Sequence, residues 1–288
     1  MGANWMCEIL SYLNWENVKS FANSAFTTAL VGSLTGAFAG AYAAQRIIER
    51  AKDKELLLAQ LRNTNAAITT AFSVCNTMVS FKKQHVREIA TLFQNQKDKF
   101  IEHHRKVSSG ESAEELRMQV DLRNLEAPRV PTEVLQTLIF ERISVTGRPL
   151  ALVSTLLQTL ESLARSVATR NNLIEQFKKI DPNSLPQFSA IYFGLPFGGG
   201  HIDLQYSDTV TAVSRLTDDA IFFSELIAKD LNEYGETVLT RYKKLSRDKT
   251  QSVSTGDFTI AREAGLMPNE DDYQDWLKGF VKKSTTAA

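Results

Sequence analysis

Proline and glycine are scarce in this chain, with 7 Pro and 14 Gly in 288 residues and neither type between Ala41 and Ser109. So little punctuation excludes an architecture of many short strands and turns and favours long uninterrupted helices. Net charge is also missing: 33 lysines and arginines stand against 33 aspartates and glutamates. No basic field exists to collect nucleic acid, which is excluded as a partner, and no acidic field to attract cationic ones. Cysteine is limited to Cys7 and Cys75. They flank an apolar stretch, so they do not pair within one chain if that stretch crosses a bilayer, and a reducing compartment fits the main body.

The most telling absence is local. From Ser20 to Gln45 there is no charged side chain at all. As a helix this run of about 26 residues is roughly 39 Å long, enough for a hydrocarbon core about 30 Å thick. It is only weakly apolar, because Ala, Gly, Ser and Thr dominate while Leu30, Val31, Leu34 and three Phe supply most of the transfer energy. Small residues recur at every fourth position, at Ser24, Thr28, Gly32, Gly36, Gly40 and Ala44. A stripe of this kind lets helix backbones approach closely, and it predicts self-association in the membrane. A cleaved signal peptide fits poorly, since Glu8 and Glu16 precede the stretch with Lys19 as the only base.

The flanks set an orientation. Lys19 stands alone before the stretch, whereas Arg46, Arg50, Lys52, Lys54 and Arg62 follow it. This predicts an amino-terminal tail outside and a carboxy-terminal body in the cytoplasm, as in a single-pass protein of the bacterial inner membrane. In the tail, Trp5, Ile9, Leu10, Leu13 and Trp15 form an interfacial face.

Beyond the stretch, apolar residues keep a 3-4 spacing through Leu58, Leu61, Ile68, Phe72, Cys75, Val79, Val86, Ile89 and Phe93, with Asn65 and Lys82 on the same seam. That is a heptad pattern, and one helix is expected to run on to about Arg105. Additional apolar positions at Ala67, Ala71, Val74, Met78 and Phe81 widen the seam beyond what a two-stranded coil needs and place it inside a bundle. Met118, Val120 and Leu122 alternate as a short strand does. Pro131-Thr132 opens a helix to about Ile143, and Thr146-Gly147-Arg148-Pro149 turns the chain into a second long helix with a seam at Val153, Leu157, Leu160, Ala164, Val167 and Ile174. A third spans about Ser207 to Leu245. Ser246 to Asp257 reads as a polar linker, and Glu270-Asp271-Asp272 opens a final short helix carrying Tyr273, Trp276, Leu277 and Phe280.

The expected fold is therefore all-α: an interfacial tail over residues 1–19, a transmembrane helix over 20–45, a cytoplasmic long-helix bundle with coiled-coil character over 46–246, and a linker with a short helix over 247–288. No motif carries covalent chemistry. His103 and His104 are adjacent and point to different helix faces, and His85 and His201 stand alone, so no metal set converges. Asp218-Asp219 with Glu225 reads as an exposed charged face. Neither cysteine has a histidine partner, and no serine sits in a nucleophile elbow. No catalytic residue, cofactor or metal is expected. The densest cluster of aromatics and glycine lies between Leu185 and His201, including Tyr192, Phe193, Pro196, Phe197, Gly199 and His201. It lacks the Lys-Ser/Thr ending of a phosphate-binding loop, so it is read as a helix connection and as the place to look for a ligand or protein partner. The functional expectation is a membrane-anchored homo-oligomer that senses or scaffolds. The alternative is a regulated membrane-disrupting effector of a defence or toxin system, in which the body restrains a pore formed by the stripe.

Overall fold

The computed structural model describes residues 19–20, 24–111, 116–180, 185–246, 248 and 250–280. The expected interfacial tail lies outside the described residues. The first long helix, α1 (Ala25–Phe81), is followed without interruption by a π-helical turn, Lys82–Val86, and by α2 (Arg87–Ser108). After an extended stretch come α3 (Thr132–Thr137) with a second π turn (Leu138–Arg142), α4 (Arg148–Phe177), α5 (Leu185–Phe193) and α6 (Gln205–Leu245). The described elements close with α7 (Thr259–Glu263), a 3-10 turn (Glu270–Tyr273) and α8 (Gln274–Lys278). The fold is all-helical. Among the described residues the one bridge, Phe197 with His201, belongs to no strand.

Two compact units divide the chain, Met1–Leu57 and Leu58–Ala288. In the first unit no described side chain is buried until Leu57. Alanine supports the helix here, and the absence of proline keeps it unbroken. Among the described residues no helix is long and apolar enough to cross a membrane. Glycine, serine and threonine dilute the least polar part of α1, which is the reason the charge-free run does not reach that mark.

The second unit is built on α6. Its middle section, from Ala220 to Leu231, is buried nearly all round, including Ile221, Phe222, Phe223 and Ile227. The main core packs this section against Ile68, Val74, Cys75 and Met78 of α1, Leu135 and Ile139 of α3 and its π turn, and Leu152, Leu156 and Leu163 of α4. A second core gathers Ile89 and Phe93 of α2, Ile174 and Phe177 of α4, Phe188, Tyr192 and Phe193 of α5, and Tyr206 and Val210 of α6.

Four expectations need correction. The alternating stretch Met118 to Leu122 is extended but pairs with no strand. Its backbone is taken by side chains instead: Gln119 N–H donates to Gln96 Oε1 (3.2 Å) and Asp121 N–H to Tyr192 Oη (3.3 Å). On α4 the buried stripe runs through Leu152, Leu156, Thr159, Leu163, Val167, Arg170 and Ile174, leaving Ala164 exposed. The stripe therefore includes an arginine and a threonine that an apolar template passes over. The segment after Leu185 begins as a helix rather than a loop, since a proline at the second position of a helix costs no hydrogen bond.

The fourth correction concerns the polar linker. It is a strap lying on α1 and α6. Asn65 grips its backbone at two points, donating Nδ2–H to Ser252 O (2.9 Å) and accepting Ser254 N–H at Oδ1 (2.9 Å), while Asn232 donates to Ser254 O. Asn171 grips the other extended stretch in the same way at Leu125, with distances of 3.0 and 2.7 Å. These side-chain amides do for lone extended chain what a neighbouring strand does in a sheet.

Candidate functional site: a bare stripe and an aromatic pocket

The small-residue stripe has no partner within the described chain. Thr28, Gly32, Gly36, Gly40 and Ala44 are exposed and Ser24 is half-buried. A Cβ built on Gly32, Gly36 or Gly40 meets nothing within 4 Å. Each glycine costs the helix about 0.5–1 kcal/mol relative to alanine, and no contact among the described residues offsets that. The large residues beside the stripe are as bare, with Phe26 67 % and Phe38 75 % exposed, alongside Leu30, Val31, Leu34 and Tyr42.

The hydroxyls of this stretch are turned inward onto its own backbone. Thr28 donates to Ser24 O (3.2 Å), Ser33 to Leu30 O (2.9 Å) and Thr35 to Val31 O (2.7 Å). Ser24 Oγ and Thr27 Oγ1 share a bond of 2.8 Å. This arrangement hides polar groups from an apolar surrounding and leaves the small-residue surface to contact.

The heptad seam is used inside the second unit. Leu61, Ile68, Cys75 and Val79 are buried, and Leu58, Asn65 and Phe72 are half-buried. Phe72 meets Phe258 of the strap edge-on, with ring centroids 5.2 Å apart. The Cys75 thiol donates to Ile221 O at 3.8 Å. Burial pushes it up to about 12, only partly opposed by a hydrogen bond from Ser224, so it stays protonated and is no nucleophile.

The aromatic segment divides in two. Tyr192 and Phe193 end α5 inside the second core, while Pro196, Gly199 and His201 are exposed and Phe197 is half-buried. A tight reversal joins them: Phe197 N–H donates to His201 O (2.8 Å) and His201 N–H to Phe197 O (2.9 Å), with Gly199 at φ +86°. Gly194 sits at φ +65°, where a side chain is strained, and a Cβ built there stands 2.9 Å from Leu204 Cδ2 and 3.1 Å from Ser207 Cβ. The Tyr192 and Tyr206 rings lie 4.5 Å apart, and burial first, then mutual contact, raises the Tyr192 hydroxyl. It therefore remains a donor and acceptor of hydrogen bonds and not a general base.

Beside this core opens a cavity of about 430 Å³, lined mainly by Phe100, Val107, Met118, Val120 and Phe188, with His103 and His104 at its edge. A cleft of about 450 Å³ lies between α6 and the strap. There Glu225, expected on an exposed face, is buried and bound by Arg262 (2.6 Å) and Lys229 (3.0 Å). Asp218 pairs with Lys82 at 2.6 Å and Asp219 accepts from the Tyr273 hydroxyl at 2.9 Å. Glu225 is the buried one of the three, while Asp218 and Asp219 are half-buried, and their partners Arg262, Lys82 and Tyr273 lie far away in the chain, contacts that sequence spacing does not encode. Among the described residues no three histidine, cysteine or acidic side chains are placed to hold a metal ion.

The chain matches no protein-family model, no curated protein and no solved structure, so its function is argued from this geometry alone.

Proposed function

We propose that the chain is a membrane-anchored, non-enzymatic helical protein that self-associates through the stripe at Ser24, Thr28, Gly32, Gly36, Gly40 and Ala44 and presents its bundle as a cytoplasmic sensor or scaffold. The observation that carries this reading is the bare glycine surface, three glycines in an exposed helix with open space where each Cβ would stand. The helix bears their cost with no contact among the described residues, which favours a contact outside the chain as their use. A stretch this weakly apolar inserts poorly alone. Association offsets that, because copies that bury the glycine, serine and threonine face against one another show lipid mainly Phe26, Leu30, Val31, Leu34 and Phe38. The inward hydroxyls favour an anchor over a water-filled pore, since they do not need water as a partner. Orientation follows the exposed bases after the stretch, with the amino terminus outside.

The test is the oligomeric state of the full chain in detergent, for wild type and Gly36→Leu. Wild type is expected to associate, and Gly36→Leu to lose association with unchanged helicity, since no described residue stands within 4 Å of a Cβ at that position. A strictly monomeric wild type, or a variant that associates equally, overturns the reading. Regulated membrane disruption remains the second reading, favoured by the same weak hydropathy, which suits a helix that inserts only when assembled. Dye uptake on inducing wild type but not Gly36→Leu, at matched membrane levels, selects it.

A further inference from the structure

The first charges after the stripe are sorted by helix ridge. Tyr42, Arg46, Arg50 and Lys54 follow one another at i,i+4 and share a ridge, while Gln45, Glu49 and Asp53 occupy the next. Arg46 is fixed onto Tyr42: its Nε and Nη2 donate to the phenol oxygen at 3.0 and 2.6 Å, and its guanidinium carbon lies 5.2 Å from the ring centroid. Glu49 takes its hydrogen bond from Gln45 (2.9 Å) and not from Arg46. Arg50, Lys52 and Lys54 form no ion pair among the described residues. Like charges at i,i+4 repel one another along a helix, so the ridge is a set of cations without an internal counter-charge.

Resting on the membrane reading above, we infer that the Arg46, Arg50 and Lys54 ridge binds anionic phospholipid headgroups, with Tyr42 at the hydrocarbon boundary. Three features point to lipid over a dissolved anion. The ridge continues directly from the charge-free run, which fixes its depth at the headgroup layer. An aromatic phenol beneath the first cation suits that boundary, with its ring in apolar surroundings and its oxygen at the charge. A single exposed ridge is convex and encloses no small ion, whereas a layer of phosphodiesters meets all three cations together. Glu49 and Asp53 on the neighbouring ridge limit the preference and make it depend on which ridge faces the headgroups.

The experiment measures flotation of the full chain with vesicles of phosphatidylcholine alone and of phosphatidylcholine mixed with phosphatidylglycerol. Wild type is expected to prefer the mixed vesicles by about tenfold at low salt, losing the preference as salt rises. The combined Arg46→Gln, Arg50→Gln, Lys54→Gln variant is expected to bind both vesicles as wild type binds phosphatidylcholine, and the Arg46→Lys, Arg50→Lys variant to keep the preference. The inference is overturned by a neutralised variant that still discriminates, by equal binding of wild type to both vesicles, or by loss of the preference on adding inorganic phosphate at constant ionic strength. Binding to neither vesicle overturns the membrane reading with it, which separates the two failures.

Discussion

Asp219 shows how a single side chain ties the carboxy-terminal helices to α6. Burial raises its carboxyl above the usual range, although the Tyr273 hydroxyl and the nearby Arg215 charge oppose the shift. A carboxyl whose folded pKa lies above its unfolded one favours folding in its neutral form. That contribution is complete below the unfolded value of about 4 and is lost as pH rises through the higher folded value. Asp219→Asn keeps an acceptor for Tyr273 and removes the cost of ionisation. Thermal unfolding at about pH 4 and about pH 7 is expected to show the variant gaining on wild type toward the higher pH. An equal difference at both values refutes the assignment. Little at this scale is legible in the sequence. Arg170 carries the charge of a surface residue, yet it is fully buried, with Nη1 donating to Arg123 O at 2.9 Å and its guanidinium 5.9 Å from the Tyr206 ring. Its position on the α4 stripe, between Val167 and Ile174, is the signal that locates it. Residue type alone points the other way.

Among the elements, the strap depends on two glycines for close approach. A Cβ on Gly256 stands 2.7 Å from the Phe72 ring and 3.2 Å from the Phe258 ring. A Cβ on Gly235 of α6 stands 2.8 Å from Val253. Gly256→Ala is expected to destabilise the second unit by about 1–3 kcal/mol, because the rings it meets are themselves packed. Denaturant unfolding measures this, and an unchanged midpoint with unchanged slope contradicts it. The helices were legible because proline and glycine are nearly absent where they run. The strap was not, since its anchors are asparagine side chains far away in the chain, and Asn65 reads equally well as a polar step in a coiled-coil seam. The aromatic segment was read from its density as a connection and a place for a ligand or partner, whereas Tyr192 and Phe193 are buried in the second core and Pro186 made a helix look like a loop.

For the whole molecule, the seam is packed inside the second unit while the stripe is exposed. Leu61, Ile68, Cys75 and Val79 are buried within the second unit and Leu58, Asn65 and Phe72 are half-buried there, so most of the seam is taken up inside the chain. A fragment beginning at Leu58 is therefore expected to fold cooperatively and remain monomeric where the full chain associates. Sedimentation equilibrium of the two checks this, and a dimeric fragment would return the seam to an intermolecular role. The heptad pattern showed that these residues face apolar surroundings. It carried no information on whose surroundings they are, because the packing rules are the same within a chain and between chains.

The π turn at Lys82–Val86 lies where the helix leaves the main core, at Phe81 and Val86, and enters the second, at Ile89. A π turn accommodates one residue more than the α-helical turn it replaces, and each residue rotates an α-helix by about 100°. The rotational phase between the two cores thus depends on a single surplus residue. Closing that turn into regular helix would swing Ile89 and Phe93 out of the aromatic core while leaving every residue before Phe81 in place, so the molecule carries a one-residue vernier between its halves.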